Sequence, residues 1–192
     1  MTGPAIHALP TPGLFWGDYP EREGRPTGDW IQPWLWRLSP GGLARGRYQR
    51  FAARALAEAE RMSGLGPEAV RVRLAELVPD LTRLDRRERV LAEVFGLVLL
   101  TCQRVLGLTP YPVQVAAARA LLDNLLVELA TGEGKTLAIA LASALGALSG
   151  MPVHVITAND YLVARDAAAL APLHGALGLT VGQVTADLDQ RG

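Results

Sequence analysis

Cysteine is nearly missing from this sequence: Cys102 is the only one in 192 residues. One thiol excludes an internal disulfide and a cysteine-rich metal site within these residues, and it suits a reducing compartment. Net charge is missing too, because 19 Lys plus Arg stand against 19 Asp plus Glu. A dedicated nucleic-acid binder usually carries a basic excess, so neutrality argues against that class. No apolar run is long enough to cross a membrane; the longest, Val94–Thr101, falls far short of the roughly 20 residues required. Residues 1–12 contain three prolines, one histidine and no Lys or Arg, so both the charged and the apolar parts of a secretory leader are lacking. These absences predict a soluble, cytoplasmic protein with any membrane contact peripheral.

What is present is apolar: hydrophobic residues make up 49% of the chain, enough to bury a sizeable core. Three regions differ in texture. Residues 1–42 form a Pro-, Gly- and Trp-rich arm holding Trp16, Trp30, Trp34 and Trp36. Its prolines forbid long helices. The tryptophans either pack on a neighbouring part of the fold or form an aromatic docking patch for a membrane surface or partner. Residues 43–107 read as helical. Leu43–Met62 is dense in Ala, Arg and Glu, Pro67 opens a helix that runs to Val78, and Leu84–Leu106 is a third helix. In that last segment Leu91, Val94, Phe95, Val98, Cys102 and Val105 recur at helical spacing, and Leu97, Leu99 and Leu100 widen the apolar face. Gly107 is placed to stop it.

Residues 108–192 alternate in pattern. Helices are expected over Val113–Leu122, Gly134–Leu148 and Tyr161–Leu177, with short apolar strands at Leu125–Leu129, Val153–Thr157 and Thr180–Thr185. Such alternation predicts parallel βαβ units with right-handed crossovers. The fold class read from the sequence is therefore α/β: part of a parallel P-loop sheet, preceded by a helical region.

The strongest chemical signal is Ala130-Thr131-Gly132-Glu133-Gly134-Lys135-Thr136, between an expected strand and an expected helix. Glycines let consecutive N–H groups turn into one cavity, and the helix that follows points its positive end there. Lys135 is placed to reach the β- and γ-phosphates of a nucleotide, and Thr136 to put its hydroxyl on Mg²⁺. The strict P-loop pattern would have a glycine at 129, where this sequence has Leu129. The bland alternative is an ordinary strand-to-helix turn.

Two further segments bear on this loop. Gln114 lies 21 residues before Lys135, just after Tyr111-Pro112. Its amide can pair with adenine N6 and N7, although a lone glutamine is more often a surface residue. Thr157 through Asp166 follows the second expected strand, at the end of the sheet where ligands bind in open α/β folds. Asp160 is a reasonable helix cap there, with Arg165 and Asp166 about one turn on. A capped helix with a solvent-facing ion pair accounts for this segment equally well. His7, His154 and His174 are scattered and suggest no metal or catalytic role.

Thr109-Pro110-Tyr111-Pro112-Val113-Gln114, Thr131–Thr136, and Thr157–Leu162 with Arg165-Asp166 follow one another in an order that resembles the amino-terminal motor half of SecA, the protein-translocating ATPase. The likeness covers roughly Leu74 to Asp187 and includes Arg104-Val105-Leu106-Gly107, which leads into the glutamine. It implies a RecA-like, DEAD-type nucleotide-binding domain. By that resemblance Gln114 reads adenine, Gly132, Glu133, Gly134, Lys135 and Thr136 hold the phosphates of ATP or ADP with Mg²⁺, and Thr157–Asp166 couples nucleotide state to movement. The implied partners are a SecYEG-type membrane channel and unfolded precursor proteins, with no nucleic acid. The sequence departs from the family where Thr109-Pro110-Tyr111-Pro112 replaces Arg-Pro-Phe-Asp and where Ala130 replaces a lysine. The acidic water-activating motif and the second motor lobe of that family have no counterpart in these residues. The expectation is therefore a chain that binds nucleotide without hydrolysing it, with no catalytic residue of its own. The alternatives are a DEAD-type helicase fragment and a non-catalytic module that binds a partner through the tryptophan arm.

Overall fold

The computed structural model describes residues 40–82 and 87–186. The four tryptophans of the amino-terminal arm lie outside the described residues. Among the described residues six α-helices run in chain order: α1 Pro40–Arg61, α2 Pro67–Leu77, α3 Arg87–Leu106, α4 Pro112–Leu122, α5 Lys135–Leu148 and α6 Asp160–Ala176, with a 3₁₀ turn Val78–Thr82 after α2. Helix α1 starts at Pro40, so Gly41 and Gly42 lie inside it and not before it. Punctuation residues account for several ends. Pro67 occupies the first turn of α2, where its missing N–H costs nothing. Gly107 follows α3 in the left-handed region, φ +66°, the conformation that closes a helix cheaply only with glycine.

Helix α3 is the centre of the core. Val94, Phe95, Leu97 and Val98 are fully buried, because α1, α2, α5 and α6 all pack against it. Phe51 of α1 meets Phe95 edge to face, with ring centroids 4.9 Å apart. Charged groups line the rim of this core. Arg73 Nη2 donates to Glu93 Oε1 at 2.7 Å, joining α2 to α3. Helix α4 is held to α1 by Tyr48, whose hydroxyl donates to Asp123 Oδ2 at 2.9 Å, and by Arg119, which pairs with the same carboxylate beneath the Phe51 ring.

The expected parallel sheet is not formed. Among the described residues there is no strand: Leu125–Leu129, Val153–Thr157 and Thr180–Thr185 make no ladder. A strand exists only through hydrogen bonds exchanged with a neighbour, and parallel pairing further requires both faces to be covered. Here Leu126, Ile156 and Val184 lie almost fully exposed, so these segments gain no burial from pairing. Short runs rich in branched residues report a preference for a pleated, half-buried surface, not the presence of a partner. The observed architecture is helical, with the apolar segments passing over its surface.

Candidate phosphate-loop site

The site forms where the start of α4 meets the loop before α5. Pro112 stands in the first turn of α4, and Gln114 closes that turn. Tyr111 N–H donates to Gln114 Oε1 at 2.9 Å, while Gln114 N–H donates to the Tyr111 carbonyl at 2.9 Å. The glutamine thus satisfies a helix-start donor that would otherwise need water. Its other end crosses to the loop: Gln114 Nε2 donates to the Glu133 carbonyl oxygen at 2.9 Å. Gln114 is buried, whereas Glu133 is exposed.

The loop is shaped by a turn and two glycines. Glu133 N–H donates to the Ala130 carbonyl at 3.2 Å, which closes the turn. Gly132 has φ +87° and Gly134 φ +74°, values at which L side chains are strained. At Gly134 a second restriction applies, because a Cβ there would collide with Gln114 Nε2. Helix α5 starts at Lys135, so the N–H groups of Lys135 and Thr136 belong to the first turn and have no acceptor within the helix. Two left-handed glycines, free first-turn donors, a lysine and a hydroxyl suit a phosphate group. Among the described residues no group of His, Cys, Asp or Glu is arranged to hold a metal ion.

Two side chains already occupy the loop. Lys135 Nζ donates to the Ala130 carbonyl at 3.0 Å, and Glu133 Oε2 accepts from Ala130 N–H at 2.7 Å. Neither contact carries a residue-type signal at position 130, since both partners are backbone atoms. Lys135 is also the only lysine in the sequence; the other 18 of the 19 cationic side chains are arginines.

The Thr157–Asp166 segment builds a helix start of its own. Asn159, and not Asp160, caps α6, its Oδ1 accepting from Leu162 N–H at 2.9 Å. Asp160 instead accepts from Ala186 N–H at 2.9 Å, tying the start of α6 to the last described residue. Arg165 pairs with Asp166 on the surface, as the bland reading of that segment expects. These bonds stay within residues 157–186, so the structure unites Gln114 with the loop, while these bonds of Thr157–Asp166 run within that segment and to Ala186. Between α5 and α6 lies a cleft of about 620 Å³, lined by Ile139, Val153, Val155, Val163, Leu170 and Val181 among others.

Comparison with known proteins gives one family. Residues 41–192 match the SecA DEAD-like domain. The chain is 37% identical over 179 residues to protein translocase subunit SecA 3 of Magnetococcus marinus, covering 89% of this chain and 27% of that protein. It is 37% identical over 176 residues to protein translocase subunit SecA 2 of Bordetella avium, with the same coverage, 89% and 27%. With protein translocase subunit SecA of Neisseria gonorrhoeae the identity is 39% over 142 residues, 74% of this chain and 16% of the relative. The chain thus spans about a quarter or less of the length of these relatives.

Proposed function

Because this chain belongs to the SecA DEAD-like domain family, we propose that its loop 130–136 is the phosphate-binding part of an ATP site in a SecA-like protein translocase motor. The observation that carries this reading is the joint between Gln114 and the loop. A buried glutamine 21 residues upstream bonds the Glu133 carbonyl, and Gly134 leaves just the space its amide needs. That joint fixes the cradle of backbone donors against the start of α4, with the oxygen and the nitrogen of the Gln114 amide each bonded to the chain. In this reading Lys135 meets the β- and γ-phosphates, Thr136 meets Mg²⁺, and the backbone N–H groups of Gly132 through Thr136 surround the anion.

The composition supports the same assignment. A chain that uses arginine at 18 of 19 cationic positions places its one lysine at the end of the phosphate loop. A compact ammonium on a flexible stem is what the loop can bring to a phosphate as a point charge; a planar guanidinium is not its equal there. In the whole motor the nucleotide would drive unfolded precursors through a SecYEG-type channel, with contact at the cytoplasmic face of the membrane. The described residues contain no helix long and apolar enough to cross a membrane.

Titration with a fluorescent ADP and Mg²⁺ tests the reading, with Lys135→Ala beside the parent chain. Saturation to about 100 times Kd should stabilise the fold by roughly 2.7 kcal/mol. For a chain of this size that is a rise in melting temperature of roughly 5 to 10 °C. Lys135→Ala should lose most of both signals. Equal binding by the two proteins would exclude the phosphate-loop assignment.

A further inference from the structure

The Glu133 side chain does something that a phosphate loop does not need. Its backbone N–H and carbonyl build the turn and the joint to Gln114, but its carboxylate folds back over the loop and accepts the Ala130 N–H at 2.7 Å. On the same residue, the Ala130 carbonyl takes Lys135 Nζ at 3.0 Å. Two side chains of opposite charge therefore close on the backbone of one residue, Ala130, through the two adjacent peptide groups that flank it, five residues before the lysine. The Ala130 N–H lies before the Gly132–Thr136 donors assigned to the phosphates, so the carboxylate is an anion bound next to that cradle. It cannot attract a phosphate, and it adds negative charge near where the phosphates must come.

We infer that Glu133 is a resident anion that holds the phosphate loop closed, and that a nucleotide binds by releasing its carboxylate from the Ala130 N–H and drawing Lys135 off the Ala130 carbonyl. This rests on the phosphate-loop reading above. The physical consequence is a reduced apparent affinity. The loop is open for only a fraction of the time, and the observed Kd is the intrinsic one divided by that fraction. The closing bonds lie on the surface, where a charge-assisted hydrogen bond is screened by water, so the reduction should be moderate. The device would keep Lys135 and the loop backbone ordered without a ligand, at the expense of some affinity.

The opposite expectation is equally definite. If the Glu133 carboxylate helps to hold the magnesium-bound nucleotide, through water on the metal or through the loop's shape, removing it weakens binding. The experiment measures binding of fluorescent ADP with Mg²⁺ to the parent chain, Glu133→Ala, Glu133→Gln and Lys135→Ala. Hydrogen exchange at the Ala130 amide is followed by NMR without nucleotide. A closed loop predicts faster exchange at Ala130 in Glu133→Ala than in the parent. It also predicts ADP binding tighter by about threefold to tenfold in Glu133→Ala. Glu133→Gln, which keeps an acceptor and drops the charge, should fall between. Unchanged or weaker ADP binding by Glu133→Ala, or unchanged exchange at Ala130, overturns the inference while leaving the phosphate-loop reading intact, provided that Lys135→Ala still loses binding. If no variant binds ADP, both fall together.

Discussion

Gly134 stands directly against Gln114: a Cβ at position 134 would collide with the Gln114 side-chain nitrogen, and the backbone at 134 is already left-handed, φ +74°. Gly134→Ala therefore has two faults at once. Strain in the left-handed region costs about 1 kcal/mol or more, and the collision pushes Nε2 off the Glu133 carbonyl. Thermal denaturation should show a loss of stability, and the ADP titration a larger loss of affinity, since the loop and its glutamine are displaced together. Unchanged melting and unchanged affinity would mean that the joint is not formed in solution.

The glutamine itself can be divided into acceptor and donor. Gln114→Ala leaves the Tyr111 N–H and the Glu133 carbonyl without partners, at about 1 kcal/mol to 3 kcal/mol if both stay shielded from water. Gln114→Glu keeps the acceptor for Tyr111 but replaces the donor by a second acceptor facing the Glu133 oxygen. Repulsion there should loosen the loop while sparing the start of α4. Hydrogen exchange would read this as faster exchange over residues 130–136 with little change over 112–116. Equal loosening of both segments would count against the division of roles.

Part of this site is legible in the sequence. Gly132 and Gly134 mark a tight turn before a helix and take up left-handed backbone there, and Gln114, 21 residues before Lys135, bonds to that turn. The helices were legible for similar reasons: α3 by its three-and-four spacing, α2 by Pro67, and the end of α3 by Gly107. What could not be read are contacts to backbone atoms. Ala130 carries no sign that its N–H and carbonyl will take Glu133 and Lys135. Nor does the sequence link Tyr48 to Asp123, 75 residues away. The three apolar segments were misread for a different reason. Val153, Val155 and Ile156 favour a strand, yet strand formation depends on a neighbour that local sequence does not specify, and in the structure these side chains are exposed.

The Tyr48–Asp123–Arg119 cluster makes a pH prediction. Burial pushes the Asp123 carboxyl up, but hydrogen bonds from Arg119 and Tyr48, helped by the charge of Arg119, outweigh it and hold it below the usual carboxylate range. A carboxylate with a depressed folded-state value stabilises the fold above its unfolded value, near pH 4, and loses that contribution as pH falls through the lower folded value. Asp123→Asn should cost about 3 kcal/mol at neutral pH, because Arg119 is buried, has one guanidinium nitrogen already unpartnered, and would lose its counter-charge. Urea denaturation at several pH values should show the difference between parent and variant shrinking below pH 4. A gap that stays constant down to pH 2 would show that Asp123 acts by packing or neutral hydrogen bonding alone.

Two glycines in helices give the last prediction, since the same substitution should act in opposite directions. Gly96 of α3 faces α1 so closely that a Cβ would lie 2.8 Å from Glu58 Cβ and 2.9 Å from the Ala59 backbone nitrogen. Backbone cannot swing aside as a flexible side chain can, so Gly96→Ala forces α1 and α3 apart. Overpacking of that kind costs about 1 to 3 kcal/mol, which exceeds the roughly 1 kcal/mol that alanine gains over glycine from helix propensity. Gly46 of α1 has only the end of the Arg50 side chain within 4 Å of a built Cβ, at 3.9 Å. There the propensity gain stands alone, so Gly46→Ala should raise stability by up to about 1 kcal/mol. Paired melting curves decide the matter. A stabilised Gly96→Ala would show that α1 and α3 do not pack in contact at Gly96, and the core built around α3 would have to be redrawn.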